Sequence, residues 1–158
     1  MNDKALKTLE YDKIISRLET YESSSMGKKR CASLLPSSDY EEILQTQEET
    51  RDALSRLYKT GFLSFQGLSD IRPHLKLLEI DSTLTAKELL DIARLLSITA
   101  QVKEYGMTED ETMSFDSLNT YFDMLEPLEF LHQRITSCIL SADEISDDAS
   151  AALRDIRK

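Results

Sequence analysis

Very few side chains in this sequence are of the types that catalyse reactions or bind metal ions. His74 and His132 are the only histidines, and Cys31 and Cys138 are the only cysteines. A zinc site needs several such residues at short spacing, and these four do not have it. We therefore predict structural roles: His74 at the surface or half-buried in the first turn of a helix, His132 packed on a helix face, and both cysteines buried and reduced.

Acidic clusters and glycines provide no better candidate for a site. The cluster at residues 109–111 lacks the ligand spacing of a calcium loop, and the one at residues 143–148 fits the preference of a helix start for negative charge. A phosphate loop needs closely spaced glycines, whereas the four glycines stand far apart at positions 27, 61, 67 and 106. No serine–histidine–acid set follows from the spacing. The residues thus predict no catalytic, cofactor-binding or metal-binding site in this segment.

The charge of the chain limits the partners that it can bind. Nineteen basic residues against 29 acidic ones leave a formal charge of −10. Because a surface that binds phosphates broadly is basic, we do not expect the chain alone to bind nucleic acid tightly. The basic run at residues 28–30 is best explained as solvated charges on a helix. No apolar run approaches the roughly 20 residues that cross a bilayer, and the N-terminus lacks the apolar core of a signal peptide. We expect a cytoplasmic protein with no membrane partner.

Hydrophobic periodicity predicts an all-α fold, an irregular helical bundle. The helix over residues 85–105 is apolar nearly all round, which is typical of a helix at the centre of a bundle. Phe62 and Phe65 are predicted to fill a groove between helices. After a short first helix capped by Asn2, the predicted helices cover residues 11–21, 26–35, 38–59, 71–80, 85–105, 117–125 and 128–140.

Local signals indicate where several helices begin and end. Ser38 with Glu41, and Thr85 with Glu88, have capping-box spacing. Asp70 is a predicted N-cap, and Gly61 is predicted to end the long helix that starts at Ser38. That long helix is predicted to be amphipathic, with an apolar set of Tyr40, Ile43, Leu44, Leu54, Leu57 and Tyr58. At the other end of the chain, Ser146, Asp147 and Asp148 are helix-start residues, and no glycine or proline stops the helix after them. A helix that short is only marginally stable by itself, so we expect the sequence to be a piece of a longer protein.

One heptapeptide, Gly67-Leu68-Ser69-Asp70-Ile71-Arg72-Pro73, is the most distinctive motif of the chain. Other motifs lie before and after it, in this order: Leu6, Leu9 and Tyr11-Asp12-Lys13-Ile14; Met26-Gly27 with Pro36; Glu48-Glu49-Thr50; and Ile145-Ser146-Asp147-Asp148-Ala149-Ser150 with Leu153, Ile156 and Arg157. Together they resemble the MutS superfamily of ATPases, closest to its second bacterial branch, here called the MutS-two family. Two positions depart from the family pattern: Ser141-Ala142-Asp143 replaces an Asp-Gly-type turn, and Ala151 stands where a proline is common.

The resemblance implies a role without catalysis for this segment. It implies a helical core domain at residues 1–145 and the truncated start of a lever helix at residues 146–158. In family members the core couples an ATPase module to a clamp that closes on nucleic acid, and many carry an Smr nuclease module. The implied full-length protein is a homodimeric ATPase that uses ATP and Mg, with endonuclease activity from an Smr module. Its implied substrates are branched DNA, in suppression of homologous recombination, and collided ribosomes, in ribosome rescue; they bind through other domains.

An interpretation from another class stays open on the sequence. A stand-alone acidic helical adaptor that binds a protein partner would show the same bundle pattern and the same negative charge. The gene beyond the codon for Lys158 separates the two: continued helix and then a phosphate loop would favour the MutS-two interpretation. An independent enzyme has no supporting set of residues.

Overall fold

The computed structural model describes residues 3–107 and 115–157, and these are mostly helical. The predicted all-α class is therefore confirmed. Within this part of the chain, no helix combines the length and the apolar character needed to span a membrane. Asn2 and the acidic cluster at residues 109–111 lie outside the described residues. The helices are α1 Asp3–Thr8, α2 Tyr11–Glu19, α3 Ser25–Ala32, α4 Tyr40–Thr60, α5 Arg72–Glu79, α6 Ala86–Gly106, α7 Asn119–Asp123, α8 Glu129–Cys138 and α9 Ala151–Ile156.

The chain forms two compact units, each built from two separate stretches. The first unit contains Met1–Gly67 and Glu104–Met124, and the second contains Leu68–Lys103 and Leu125–Lys158. Helix α6 supplies residues to both units. The predicted boundary between a core at residues 1–145 and a lever start at residues 146–158 stays a prediction.

The second unit has an aliphatic core where α6 packs against the end of α8. Ile92 and Ala93 of α6 are buried together with Ile135 and Ile139, and Cys138 packs against them. Ile98, further along α6, is also buried. The apolar character of α6 therefore corresponds to real burial, in agreement with its predicted position inside the bundle.

A short β-hairpin comes after α8, and the periodicity did not predict it. Strand β1 (Ile139–Ser141) pairs antiparallel with β2 (Glu144–Ile145) across the turn that departs from the family pattern. The helix predicted to reach residue 140 ends at Cys138, because Ile139 adopts extended backbone angles. β-Branched Ile139 and Ile145 face each other in the pair and suit such a conformation. A ladder this short is too small to show a two-residue period in the sequence.

The helix start predicted near Ser146 is split in two. Ser146 caps a 3₁₀ turn, Asp147–Ala149, by accepting from the Asp148 N–H. The chain then returns to extended angles at Ser150, whose hydroxyl accepts from the Leu153 N–H and caps α9. The last α-helix of the described chain therefore begins at Ala151 rather than at residue 146.

Of the three predicted N-terminal caps that lie within the described residues, one is confirmed in full. The Thr85 N–H and hydroxyl donate to the Glu88 carboxylate, and the Thr85 hydroxyl accepts from the Glu88 N–H, which is a complete capping box. The prediction for Ser38 was wrong by one residue: Asp39 is the N-cap of α4. Ile71 occupies the cap position of α5, while the Asp70 carboxylate binds the Arg72 N–H and side chain instead.

Helix α4 ends at Gly61 as predicted, but its packing differs from the prediction. Gly61 has φ +95°, a conformation that favours glycine. Of the predicted apolar set of α4, Ile43 is half-buried and the other five residues (Tyr40, Leu44, Leu54, Leu57 and Tyr58) are exposed, whereas Arg56 is only 3% exposed. Phe62 and Phe65 were predicted to fill a groove between helices. The prediction is wrong for Phe62, whose side chain is 76% exposed. Phe65 is half-buried.

Candidate functional site

His74, one of the two histidines considered above, faces two carboxylates of α6. It lies on α5, and its side chain is 15% exposed, as the sequence indicated. Its Nδ1 lies 3.8 Å from Glu88 Oε1 and its Nε2 lies 3.6 Å from Asp91 Oδ2, both on α6. Neither distance is a hydrogen bond, and the buried Nε2 has no hydrogen-bond partner among the described residues. The Glu88 carboxylate is held by Thr85, whose N–H and hydroxyl are the main cause of its lowered pKa.

The other candidates do not assemble into a site. His132 is half-buried on α8. Cys31 and Cys138 are free thiols, and both are half-buried rather than buried. The three basic residues at positions 28–30 are exposed, as expected of solvated charges. Across residues 3–107 and 115–157, no group of three histidine, cysteine, aspartate or glutamate side chains is placed to hold a metal ion.

The most highly organised polar cluster lies in the first unit and centres on Arg56. The Arg56 Nε donates to Asp116 Oδ2 at 2.6 Å, and its Nη2 donates to Asp116 Oδ1 at 2.9 Å. The same Nη2 donates to Asn119 Oδ1 at 2.7 Å. The guanidinium carbon lies 4.8 Å from the centre of the Phe122 ring, a cation–π geometry. Arg56 thus binds the segment around α7 through charge, hydrogen bonds and ring contact at once.

Two further residues of α4 bind the same segment. Asp52 Oδ2 accepts from the Ser117 hydroxyl at 2.7 Å and from the Ser117 N–H at 3.1 Å. These two bonds, the hydroxyl first, hold the pKa of Asp52 below its ordinary value. The Tyr121 hydroxyl donates to Glu49 Oε1 at 3.0 Å, and this bond raises the pKa of Tyr121. We call Glu49, Asp52 and Arg56 the α4 polar face.

The spacing of these residues explains why they act together. Positions 49, 52 and 56 are three and four residues apart, so they share one side of the helix. The segment that they bind is also fixed from within, because the Asp116 N–H donates to Asn119 Oδ1 and the Leu118 N–H donates to Asp116 Oδ1. The result is a polar joint between two stretches of chain about sixty residues apart, in which the side chains orient each other.

The joint borders a cavity of the first unit. This cavity, of about 440 Å³, is lined by Glu48, Arg51, Asp52, Phe115, Asp116 and Ser117. Its three carboxylates would repel a phosphate group, and no histidine or cysteine lines it. Arg56 and Asp52 bind Asp116 and Ser117 across this joint. Sequence reasoning missed this joint, because it treated α4 as a helix with an apolar inner side; the available signal was the polar spacing at positions 49, 52 and 56.

Comparison with known proteins bears on the role of the segment. No protein-family model matches the chain. It is 47% identical over 163 residues to a protein of Lachnoclostridium phytofermentans named Endonuclease MutS2, with all of this chain and 20% of the relative covered. Proteins of the same name from Agathobacter rectalis and Lachnospira eligens are 46% and 39% identical over 158 residues, again over the whole chain. The chain spans about a fifth of the length of these relatives. The chain is a segment of the MutS-two family that corresponds to the N-terminal part of its members.

Proposed function

We propose that this segment is the non-catalytic core and lever base of a MutS-two-type ATPase, and that it transmits movement between an ATPase module and a nucleic-acid clamp. The observation that carries the proposal is whole-chain similarity to relatives about five times as long and named Endonuclease MutS2. The polar joint of α4 supports it for the first unit alone, because an element that transmits movement has to behave as a unit.

The wider activity belongs to the same proposal. The full-length protein would be a homodimer that hydrolyses ATP with Mg, acts in the cytoplasm on branched DNA or on collided ribosomes, and cleaves nucleic acid through an Smr module. The name of the relatives supports the nuclease component alone. The present chain would contribute no residue to the ATP site, since its glycines are too far apart for a phosphate loop.

Activity and DNA-binding assays distinguish a coupling role of this segment from a catalytic role and from a nucleic-acid-binding role. The 158-residue chain alone should show no ATPase and no nuclease activity, and its affinity for branched DNA should be weak. In the full-length protein, Asp116→Asn should leave the ATPase rate without substrate unchanged and reduce its stimulation by branched DNA or by ribosomes. Tight, salt-sensitive DNA binding by the chain alone would contradict the proposal. So would full stimulation in an Asp116→Asn protein whose joint is shown to be loosened by hydrogen exchange.

The adaptor alternative differs in what it requires of the full-length gene. An adaptor needs no phosphate loop downstream of these residues, whereas the coupling role does. Similarity to much longer relatives favours the coupling role. Sequencing the gene beyond the codon for Lys158 tests both: a phosphate loop supports coupling, and its absence supports the adaptor.

A further inference from the structure

His74 faces a carboxylate with each of its two ring nitrogens. Its Nδ1 lies 3.8 Å from Glu88 Oε1, and its Nε2 lies 3.6 Å from Asp91 Oδ2. A neutral imidazole has one N–H donor and one nitrogen with a lone pair, and an ionised carboxylate only accepts. Whichever nitrogen keeps the proton, the other therefore points its lone pair at an acceptor. Only the imidazolium form, which has an N–H on both nitrogens, can donate to both carboxylates at once.

The buried nitrogen of this ring has no partner in its present position. No hydrogen bond reaches His74 Nε2 from the described residues. Buried polar atoms are nearly always hydrogen-bonded, so an unpaired one calls for an explanation. The two distances to the carboxylates exceed a normal N–H···O bond by less than about 1 Å, and a small rotation of the side chains closes such a gap. A second proton on the ring would supply the missing donor.

Helix α5 has little else to hold it against α6. None of its eight residues, all of which the structure describes, is buried. Leu75 and Leu78 are exposed. Ile71, just before the helix, packs against the α6 core. Because elements with few buried apolar contacts open most easily, the polar contacts of His74 carry much of the attachment of α5.

Other charged groups near these two helices do not compete for the ring. The Arg72 guanidinium of α5 binds the Asp70 carboxylate at 2.6 Å. The remaining charged residues of α5, of the turn after it and of the first half of α6 are exposed: Lys76, Glu79, Asp81, Lys87 and Arg94. The ion-pair contacts of His74 within residues 3–107 and 115–157 are thus those to Glu88 and Asp91.

The Glu88 carboxylate keeps its charge where a histidine gains its proton. The N–H and the hydroxyl of Thr85 bind this carboxylate and hold the pKa of Glu88 below its ordinary value. Histidine ordinarily changes its charge near pH 6.5, about two units above the ordinary range of a carboxyl group. A negatively charged acceptor is therefore in place throughout the range in which the ring titrates.

We propose that His74 is a proton-operated tie between α5 and α6, in which the imidazolium ring binds Glu88 and Asp91 together. As the pH falls, a proton from water binds the ring nitrogen that carries the lone pair. As the pH rises through the histidine range, that proton returns to water and at most one of the two bonds remains. The tie thus stabilises α5 on the acid side of this range and is lost on the alkaline side. It concerns the second unit alone and is independent of the proposed function.

Hydrogen exchange of the chain at about pH 5.5 and about pH 8.5 tests the tie. Protection factors, which correct for the effect of pH on the intrinsic exchange rate, are compared between wild type and His74→Gln. We expect the α5 amides of wild type to be about tenfold better protected at the lower pH and equally protected at the higher pH. His132→Gln is the matched control, because His132 lies on α8, and its effect on α5 should not vary with pH. A ratio between wild type and His74→Gln that stays constant or rises with pH would overturn the proposal.

Nitrogen NMR of the wild-type ring gives a second test that does not require the His74→Gln chain to fold. With ¹⁵N-labelled histidine, the ring signals of the two histidines are assigned from the spectrum of His132→Gln. At about pH 5.5 we expect protons on both ring nitrogens of His74, both slower to exchange with water than those of His132 because each is bound to a carboxylate. At about pH 8.5 one of the His74 ring nitrogens should carry no proton. A His74 ring that is still neutral at about pH 5.5, or whose N–H protons exchange as fast as those of His132, contradicts the tie.

Discussion

Arg56 and Asp116 form a bidentate ion pair across sixty residues of sequence, with Nε–Oδ2 and Nη2–Oδ1 distances of 2.6 and 2.9 Å. The Arg56 side chain is 4% exposed and that of Asp116 is 16% exposed. Two parallel bonds fix the orientation of both groups, which a lysine could not do. The pair therefore determines which side of α4 faces its own unit and which side faces outward.

Removing one member of this pair should destabilise the first unit. Arg56→Ala leaves the Asp116 charge largely buried without its partner, and the expected loss in the free energy of unfolding is about 3 kcal/mol. Urea unfolding followed by circular dichroism measures the loss, and hydrogen exchange locates it in α4 and α7. Arg51→Ala is the control, because Arg51 pairs with Glu48 at the surface and should change stability by less than about 1 kcal/mol. Equal effects of the two substitutions would contradict the importance of the buried pair.

The bond between Asp52 and Ser117 should appear in the acid dependence of stability. The folded-state pKa of Asp52 is lowered, so its contribution is complete above the unfolded pKa of about 4 and is lost as pH falls through the folded value. Ser117→Ala removes the larger of the two bonds. The stability difference between wild type and Ser117→Ala should thus be constant above about pH 5 and should shrink below pH 4.

Urea unfolding at a series of pH values measures this difference. Asp52→Asn provides the control, because an amide at position 52 cannot titrate and the effect of Ser117→Ala on it should not vary with pH. A wild-type difference that stays constant down to pH 2 would show that the bond does not favour the charged carboxylate.

The sequence predicted what is decided locally. Thr85 and Glu88 are three residues apart, and their reciprocal bonds form within one helical turn. Gly61 ends α4 because the chain needs a positive φ there. The aliphatic character of α6 follows from its own composition and was predicted correctly. In each case the residues that decide the structure are neighbours in sequence, so the pattern alone contains the information.

The sequence did not predict what depends on distant partners. The apolar spacing of α4 identified an apolar face correctly, but not that the face points away from its own unit. That orientation depends on Asp116 and Ser117, which lie about sixty residues later. The hairpin after α8 was not predicted for the same reason, because Ile139 pairs with Ile145 only across the turn. The polar joint depends on distant pairing in the same way, because Arg56 and Asp52 bind residues about sixty positions later.

The capping box of α6 should contribute measurably to the second unit. Thr85→Ala removes the acceptor of the Glu88 N–H and a donor to the Glu88 carboxylate, so the expected loss in the free energy of unfolding is about 1 kcal/mol. Thr85→Ser keeps the hydroxyl and should retain most of the stability. Thermal unfolding of the three proteins measures both effects. A serine variant as unstable as the alanine variant would attribute the loss to the threonine methyl group rather than to the cap.

Two helical glycines provide a matched test of packing. A Cβ added at Gly106 would collide with Cβ and Cγ of Phe122, atoms that cannot move without shifting the ring under Arg56. Gly106→Ala should therefore lose about 1–3 kcal/mol, more than the 0.5–1 kcal/mol that alanine gains in a helix. A Cβ at Gly27 meets only the flexible end of the Glu22 side chain, which can rotate away at the loss of its bonds to Ser24. Gly27→Ala should consequently be close to neutral in urea unfolding, since the helix gain offsets those bonds. If Gly106→Ala proved as well tolerated as Gly27→Ala, Phe122 would not be held as tightly against α6 and Arg56 as the contacts indicate.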